Sequence, residues 1–138
     1  MNNGQHQSLA GVTPHLTIGE KRAKEAIDFY KAAFGAEQVM EPHMAEDGER
    51  IMHAHLHING GSLMLNDDFP EYGQAAGKPA AVTLHLHVDD ADAWFSRALK
   101  AGATETMPLA DQFWGDRYGQ VTDPFGHRWS IGAPVKQS

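Results

Sequence analysis

The chain has 138 residues, 41% of them apolar and none of them cysteine. That suits one domain with its own core, and it excludes disulfides, thiolate metal sites and cysteine nucleophiles. Eighteen acidic against eleven basic side chains leave a net charge of −7, which argues against nucleic-acid and anionic-membrane partners. Residues 1–12 lack the basic start and apolar stretch of a signal peptide, and no apolar run reaches membrane-spanning length, so a soluble, cytoplasmic protein is expected.

In chain order, residues 13–18 alternate with period two and read as a strand. Residues 21–34 then place Ala23, Ala26, Ile27, Tyr30 and Phe34 at helical spacing, with Gly35 where a left-handed cap would end the helix. Three more strands are expected near 37–44, 50–58 and 62–66, the last two joined by the hairpin dipeptide Asn59-Gly60. Residues 67–79 read as a connector.

The second half repeats the plan. A strand at 82–88 precedes a helix that Asp89 or Asp90 can cap, that carries Trp94, Ala98 and Ala101, and that stops at Gly102. Strands follow near 104–109, 118–122 and 127–132, with Asp123-Pro124-Phe125-Gly126 as the final turn. Gly35-Ala36 maps onto Gly102-Ala103, and Gly48-Glu49-Arg50 onto Gly115-Asp116-Arg117, at a constant offset of 67 residues. The chain reads as an internal duplication: one module at about 12–66 and another at about 80–133, within a single domain.

Alternation sorts the strand side chains onto two faces. Leu16 and Ile18 oppose His15 and Thr17; Met52, Ala54, Leu56 and Ile58 oppose Ile51, His53, His55 and His57; Leu84, Leu86 and Val88 oppose Thr83, His85 and His87. The aliphatic faces are expected under the helices, so the imidazole faces line whatever hollow the sheet encloses. If Ile58 pairs with Gly61 across the turn, His55 lies opposite Met64, and Ser62, Met64 and Asn66 join the histidine face.

Three readings of these histidines stay open. They can line a wet groove as neutral polar groups, they can titrate near pH 6.5 and make binding pH-dependent, or pairs spaced i and i+2 can contribute to a metal site. The serines Ser8, Ser62, Ser96, Ser130 and Ser138 carry no signature of an activated hydroxyl, and no glycine-rich phosphate loop precedes a helix. The run from Phe113 to Gly119 reads as a hairpin. There Trp114 either lines a ligand mouth or covers a sheet edge, Gly115 supplies a positive φ, and Arg117 pairs with a carboxylate. Trp94 and Trp129 read as core.

Four stretches carry a family resemblance: Ala26-Ile-Asp-Phe-Tyr-Lys-Ala-Ala-Phe-Gly-Ala, Arg50-Ile-Met-His-Ala, Trp114-Gly-Asp-Arg-Tyr-Gly and Asp123-Pro-Phe-Gly-His-Arg-Trp. The chain resembles, over nearly its whole length, the vicinal-oxygen-chelate superfamily of glyoxalase I, bleomycin-resistance proteins and extradiol dioxygenases, and within it the PhnB-like branch. The resemblance implies an α+β fold of two βαβββ modules forming a curved mixed sheet with helices on the convex side, usually in a homodimer. Metal-using members take one ligand from the first and one from the last strand of each module. By position these are His15, Met64, Thr83 and Ser130, so only His15 is a metal ligand of the usual kind, and a divalent ion would need a relocated site.

Three functions follow from this reading. The first is a small-molecule-binding protein that holds an organic ligand through His15, His53, His55, Met64, Thr83, His85, His87, Trp114 and Ser130 without a complete metal-ligand set. The second is a divalent-metal lyase, isomerase or dioxygenase. The third is a non-catalytic dimeric interaction module.

Overall fold

The computed structural model describes residues 11–136, so the readings placed on residues 1–10 and on Ser138 lie outside it. The order of elements is β1 (His15–Ile18), α1 (Ala23–Phe34), β2 (Glu37–Gln38), β3 (His43–Met44), β4 (Ile51–Ile58), β5 (Gly61–Asp67), a 3-10 turn (Pro70–Tyr72), β6 (Thr83–His87), α2 (Ala91–Ala101), β7 (Thr104–Asp111), β8 (Asp116–Thr122) and β9 (Arg128–Pro134). Among the described residues no helix is long and apolar enough to cross a membrane. The chain divides into two compact units. One runs to Lys31 and from Gly35 to Gly77; the other takes Ala32–Phe34 and runs on from Lys78.

The two units share one topology. In the first the sheet order is β1-β5-β4-β2, with β3 also on β4; in the second it is β6-β9-β8-β7. The first strand of each module pairs in parallel with its last, and the other pairs are antiparallel. Each module is therefore a βαβββ unit with a mixed sheet, in an α+β fold.

In the first unit, Asn59 and Gly60 take positive φ angles of 51° and 82°. The hairpin runs in the expected register, Ile58 opposite Gly61 and His55 opposite Met64. Gly35 sits at φ 68°, and its N–H reaches Lys31 O while Ala36 N–H reaches Tyr30 O, the pairing that closes a helix C-terminus. Helix α1 has no side-chain cap of its own at Arg22. Asp67, only 1% exposed at the end of β5, takes that role from a distance. One of its oxygens accepts from Ala23 N–H at 2.9 Å and the other from Ile51 N–H at 2.7 Å. The residue that the sequence assigns to the connector thus pins the start of α1 to the start of β4.

Two expectations need correction here. The strand expected over 37–44 is two short pieces, β2 and β3, because Pro42 has no N–H to continue a ladder. At the mouth of β4 the alternation is reversed: Ile51 is buried and Met52 is 53% exposed. The pairing of β3 with β4 shifts register between His43 and Met44, and Asp67 holds the Ile51 N–H, so the regular face assignment starts only inside the strand.

In the second unit Asp90 caps α2 by accepting from Ala93 N–H at 3.1 Å, and the helix buries Ala91, Phe95 and Ala98. Trp94 is only partly covered, and Phe95 takes the core place expected for it. Trp129 is buried as expected, its ring 4.7 Å from that of Phe34. Asp123 is more than a turn former. Its buried side chain accepts from Phe125 N–H, His127 N–H and Trp129 Nε1–H, each at 2.9 Å, and so fixes the β8–β9 turn against the core indole.

Replacing Asp67 by Ala strands two buried N–H donors, each costing about 1–3 kcal/mol. The urea midpoint of Asp67→Ala is expected to fall by the equivalent of about 3 kcal/mol, with Asp67→Asn, which keeps one acceptor, intermediate. Equal stability of the Ala variant would show that the tether between α1 and β4 is idle.

Candidate functional site

In the first unit the parallel pairing of β1 with β5 sets His15 beside Met64 and Thr17 beside Asn66. The antiparallel pairing of β4 with β5 sets His55 on the other side of Met64, and His57 beside Ser62. Two of the imidazoles are engaged by neutral neighbours. His15 Nε2–H donates to Asn66 Oδ1 at 3.1 Å, and His55 Nε2 bonds Ser62 Oγ at 2.9 Å. The His53 ring lies between two others, with centroids 6.1 Å from His15 and 6.3 Å from His43, while His55 and His57 are 5.5 Å apart. His55 is buried, Met64 and His53 are half-buried, and His15 is exposed.

In the second unit the parallel pairing of β6 with β9 sets His85 beside Ser130, and Thr83 beside Arg128. Ser130 is buried and its Oγ lies 2.7 Å from His85 Nδ1. The His85 ring stacks on Tyr118 at 5.9 Å and 21°, and the His87 ring lies 5.9 Å from it. Tyr118 carries Trp114 edge-on at 5.7 Å, and Trp114 carries Phe113 at 5.1 Å, so a ladder of rings climbs from the sheet to an exposed hairpin tip. The floor beside His85 is Gly132, where an added Cβ would come within 3.0 Å of the imidazole Cε1. A side chain there would displace the ring.

Tyr118 is the residue of this ladder that sequence reasoning missed. Its place in the strand alternation opposite Gly132 is the signal that could have found it. Trp114 packs on Tyr118 and remains 49% exposed. Arg117 does pair with carboxylates, Asp92 at 3.0 and 3.1 Å and Asp111 at 3.0 Å. Its counterpart Arg50 is held by Asp47 and Glu71, with its guanidinium 4.2 Å over Phe69.

The protonation of these faces follows from burial and from like neighbours. His53 is held below the ordinary histidine range by burial and then by His15 and His43; His55 by burial and then by His57 and His53; His85 by burial and then by His87, against a small opposing pull from Asp116. All three are therefore neutral near pH 7.

The donor arrangement does not fit the divalent ion that metal-using relatives hold. Across β1 and β5 the two ligand positions carry His15 and the thioether Met64. Across β6 and β9, Thr83 faces the cation Arg128, and Ser130 is bonded to His85. Among the described residues no group of three or more His, Asp or Glu side chains is disposed to hold a metal.

With this fold, the chain belongs to the glyoxalase/bleomycin resistance protein/dioxygenase superfamily, whose family model matches residues 13–131. It is 48% identical over 132 residues to the uncharacterized protein Mb0911c of Mycobacterium bovis, covering 91% of this chain and 84% of that protein. It is similar in structure to protein PA1353 of Pseudomonas aeruginosa, with 27% identity and a TM-score of 0.72 over 89% of this chain and 96% of that one. The PhnB protein of Bacillus cereus shares the fold at 21% identity and a TM-score of 0.69, over 88% and 98% of the two chains.

Lowered histidine pKa values have a definite sign in stability. The folded pKa lies below the unfolded value of 6.5, so the unfolded chain takes up protons first as pH falls. Stability is complete above about pH 6.5 and declines below it. The urea midpoint is expected to be lower at about pH 5.5 than at about pH 7.5, and the difference to shrink when His53, His55 and His85 are replaced by Asn. A midpoint indifferent to pH across that window would mean the rings are solvated as in a free peptide.

Proposed function

We propose that the protein is a small-molecule-binding member of the superfamily, PhnB-like, that holds an organic ligand through neutral imidazoles and needs no divalent ion. The observation that carries this reading is the His85 constellation. A neutral ring is oriented by Ser130, stacked on Tyr118, and continued by a half-exposed Trp114. Such a surface offers hydrogen bonding at one end and ring faces along its length, which suits a flat organic molecule bearing a hydroxyl or carbonyl. In the first unit His55 with Ser62 offers a second neutral polar anchor. A metal-dependent lyase, isomerase or dioxygenase would need ligand positions that Met64, Thr83 and Ser130 do not supply. The reading takes the protein as a cytoplasmic homodimer, in keeping with its cysteine-free sequence and with the family resemblance.

The test is titration of EDTA-treated protein with 2-naphthol and hydroxybenzoates, followed by tryptophan fluorescence and calorimetry. Saturable binding is expected, with affinity reduced about tenfold, or 1.4 kcal/mol, by His85→Ala. The quench should vanish in Trp114→Phe while Trp94 and Trp129 still emit. Binding that appears only after a divalent ion is added, or no saturable binding of any member of the set, would refute the proposal.

A further inference from the structure

On the first unit's sheet, His15, His53 and Met64 gather two imidazoles and one thioether on the same face, a combination the His85 constellation does not need. His15 and Met64 are register partners across β1 and β5, and Met64 is also the partner of His55, two residues along β4 from His53. The rings of His15 and His53 lean toward one another to 6.1 Å between centroids, with planes at 68°. Two imidazoles on opposite sides of one ion, each with a metal–nitrogen bond of about 2 Å, have centroids about 6 Å apart. The observed spacing leaves room for one ion between the two rings, with Met64 beside them as the third donor.

The chemistry of the set decides which ion. All three donors are uncharged, so they do little to offset a dication, and among the described residues no carboxylate completes a three-donor group with them. Thioether sulfur is a soft donor and imidazole nitrogen a borderline one that copper accepts, a set that favours a monovalent, soft ion of the Cu(I) type. Asn66, buried and accepting from His15 Nε2–H at 3.1 Å, fixes the tautomer that leaves the lone pair on Nδ1. That is the outer-shell arrangement a ligating histidine uses. We infer that His15, His53 and Met64 form a Cu(I)-class soft-metal site on the first module. The site is independent of the organic-ligand reading, which rests chiefly on β6, β8 and β9.

The test uses the full-length, untagged protein under anaerobic conditions with ascorbate, and competes Cu(I) against bicinchoninate. One tightly held equivalent of Cu(I) is expected per chain. Affinity should fall by about tenfold or more in Met64→Leu, which keeps the apolar bulk of the strand, and likewise in His15→Ala and Asn66→Ala. His85→Asn with His87→Asn should leave Cu(I) binding unchanged, and Zn(II) should bind at least about a hundredfold more weakly. If His15→Ala does not fold, Met64→Leu alone decides the matter. The inference is overturned if bicinchoninate strips all the copper from the wild type. It is equally overturned if Met64→Leu binds Cu(I) as well as the wild type, if the loss follows His85 and His87 instead, or if Zn(II) binds as tightly. Because naphthol binding is read on Trp114 in metal-free protein, either result can fail while the other stands.

Discussion

Each module of this protein closes by pairing its first strand in parallel with its last, and that pairing is what turns scattered polar residues into a surface. His15 and Met64 are 49 residues apart in the chain, yet β1 and β5 make them neighbours in register. His85 and Ser130 are joined the same way by β6 and β9, close enough for a 2.7 Å hydrogen bond. A parallel pair needs a long crossover, and here the crossover is the helix and the three-strand return. The helix buries the aliphatic alternation of the strands, which leaves the alternate positions as the polar face. A slip of one residue along β1 would move His15, and along β6 His85 and His87, to the wrong side.

Much of this was legible in the sequence where a local rule has one solution. Asn59-Gly60 demands left-handed angles at both positions, and a two-residue turn then fixes the register of β4 on β5, so His55 opposite Met64 was readable in advance. Gly35 likewise announced the end of α1. The misses occur where a distant partner overrides the local pattern. Ile51 turns inward because Asp67, sixteen residues on, holds its N–H. Phe95 displaces Trp94 from the core because adjacent helical positions differ by about 100°, and only the packed sheet decides between them. Asp67 and Asp123 looked like loop residues because a carboxylate near a turn usually is one; their role depends on backbone donors that only the folded chain brings to them.

The same distribution of partners explains why the candidate site is neutral in so acidic a chain. Asp47 and Glu71 hold Arg50, Asp92 and Asp111 hold Arg117, and Asp67 and Asp123 accept backbone and indole N–H groups. His15, His55 and His85 are bonded instead to an amide and two hydroxyls, groups that orient a ring without favouring its protonation. Burial and like neighbours act in the same direction on His53, His55 and His85. A carboxylate beside His15, in the place Met64 occupies, would raise its basicity and help neutralise a dication. A thioether there does neither, and leaves the face uncharged at that position. A thioether rather than a carboxylate at one register position therefore sets the chemistry of the face without altering the fold that presents it.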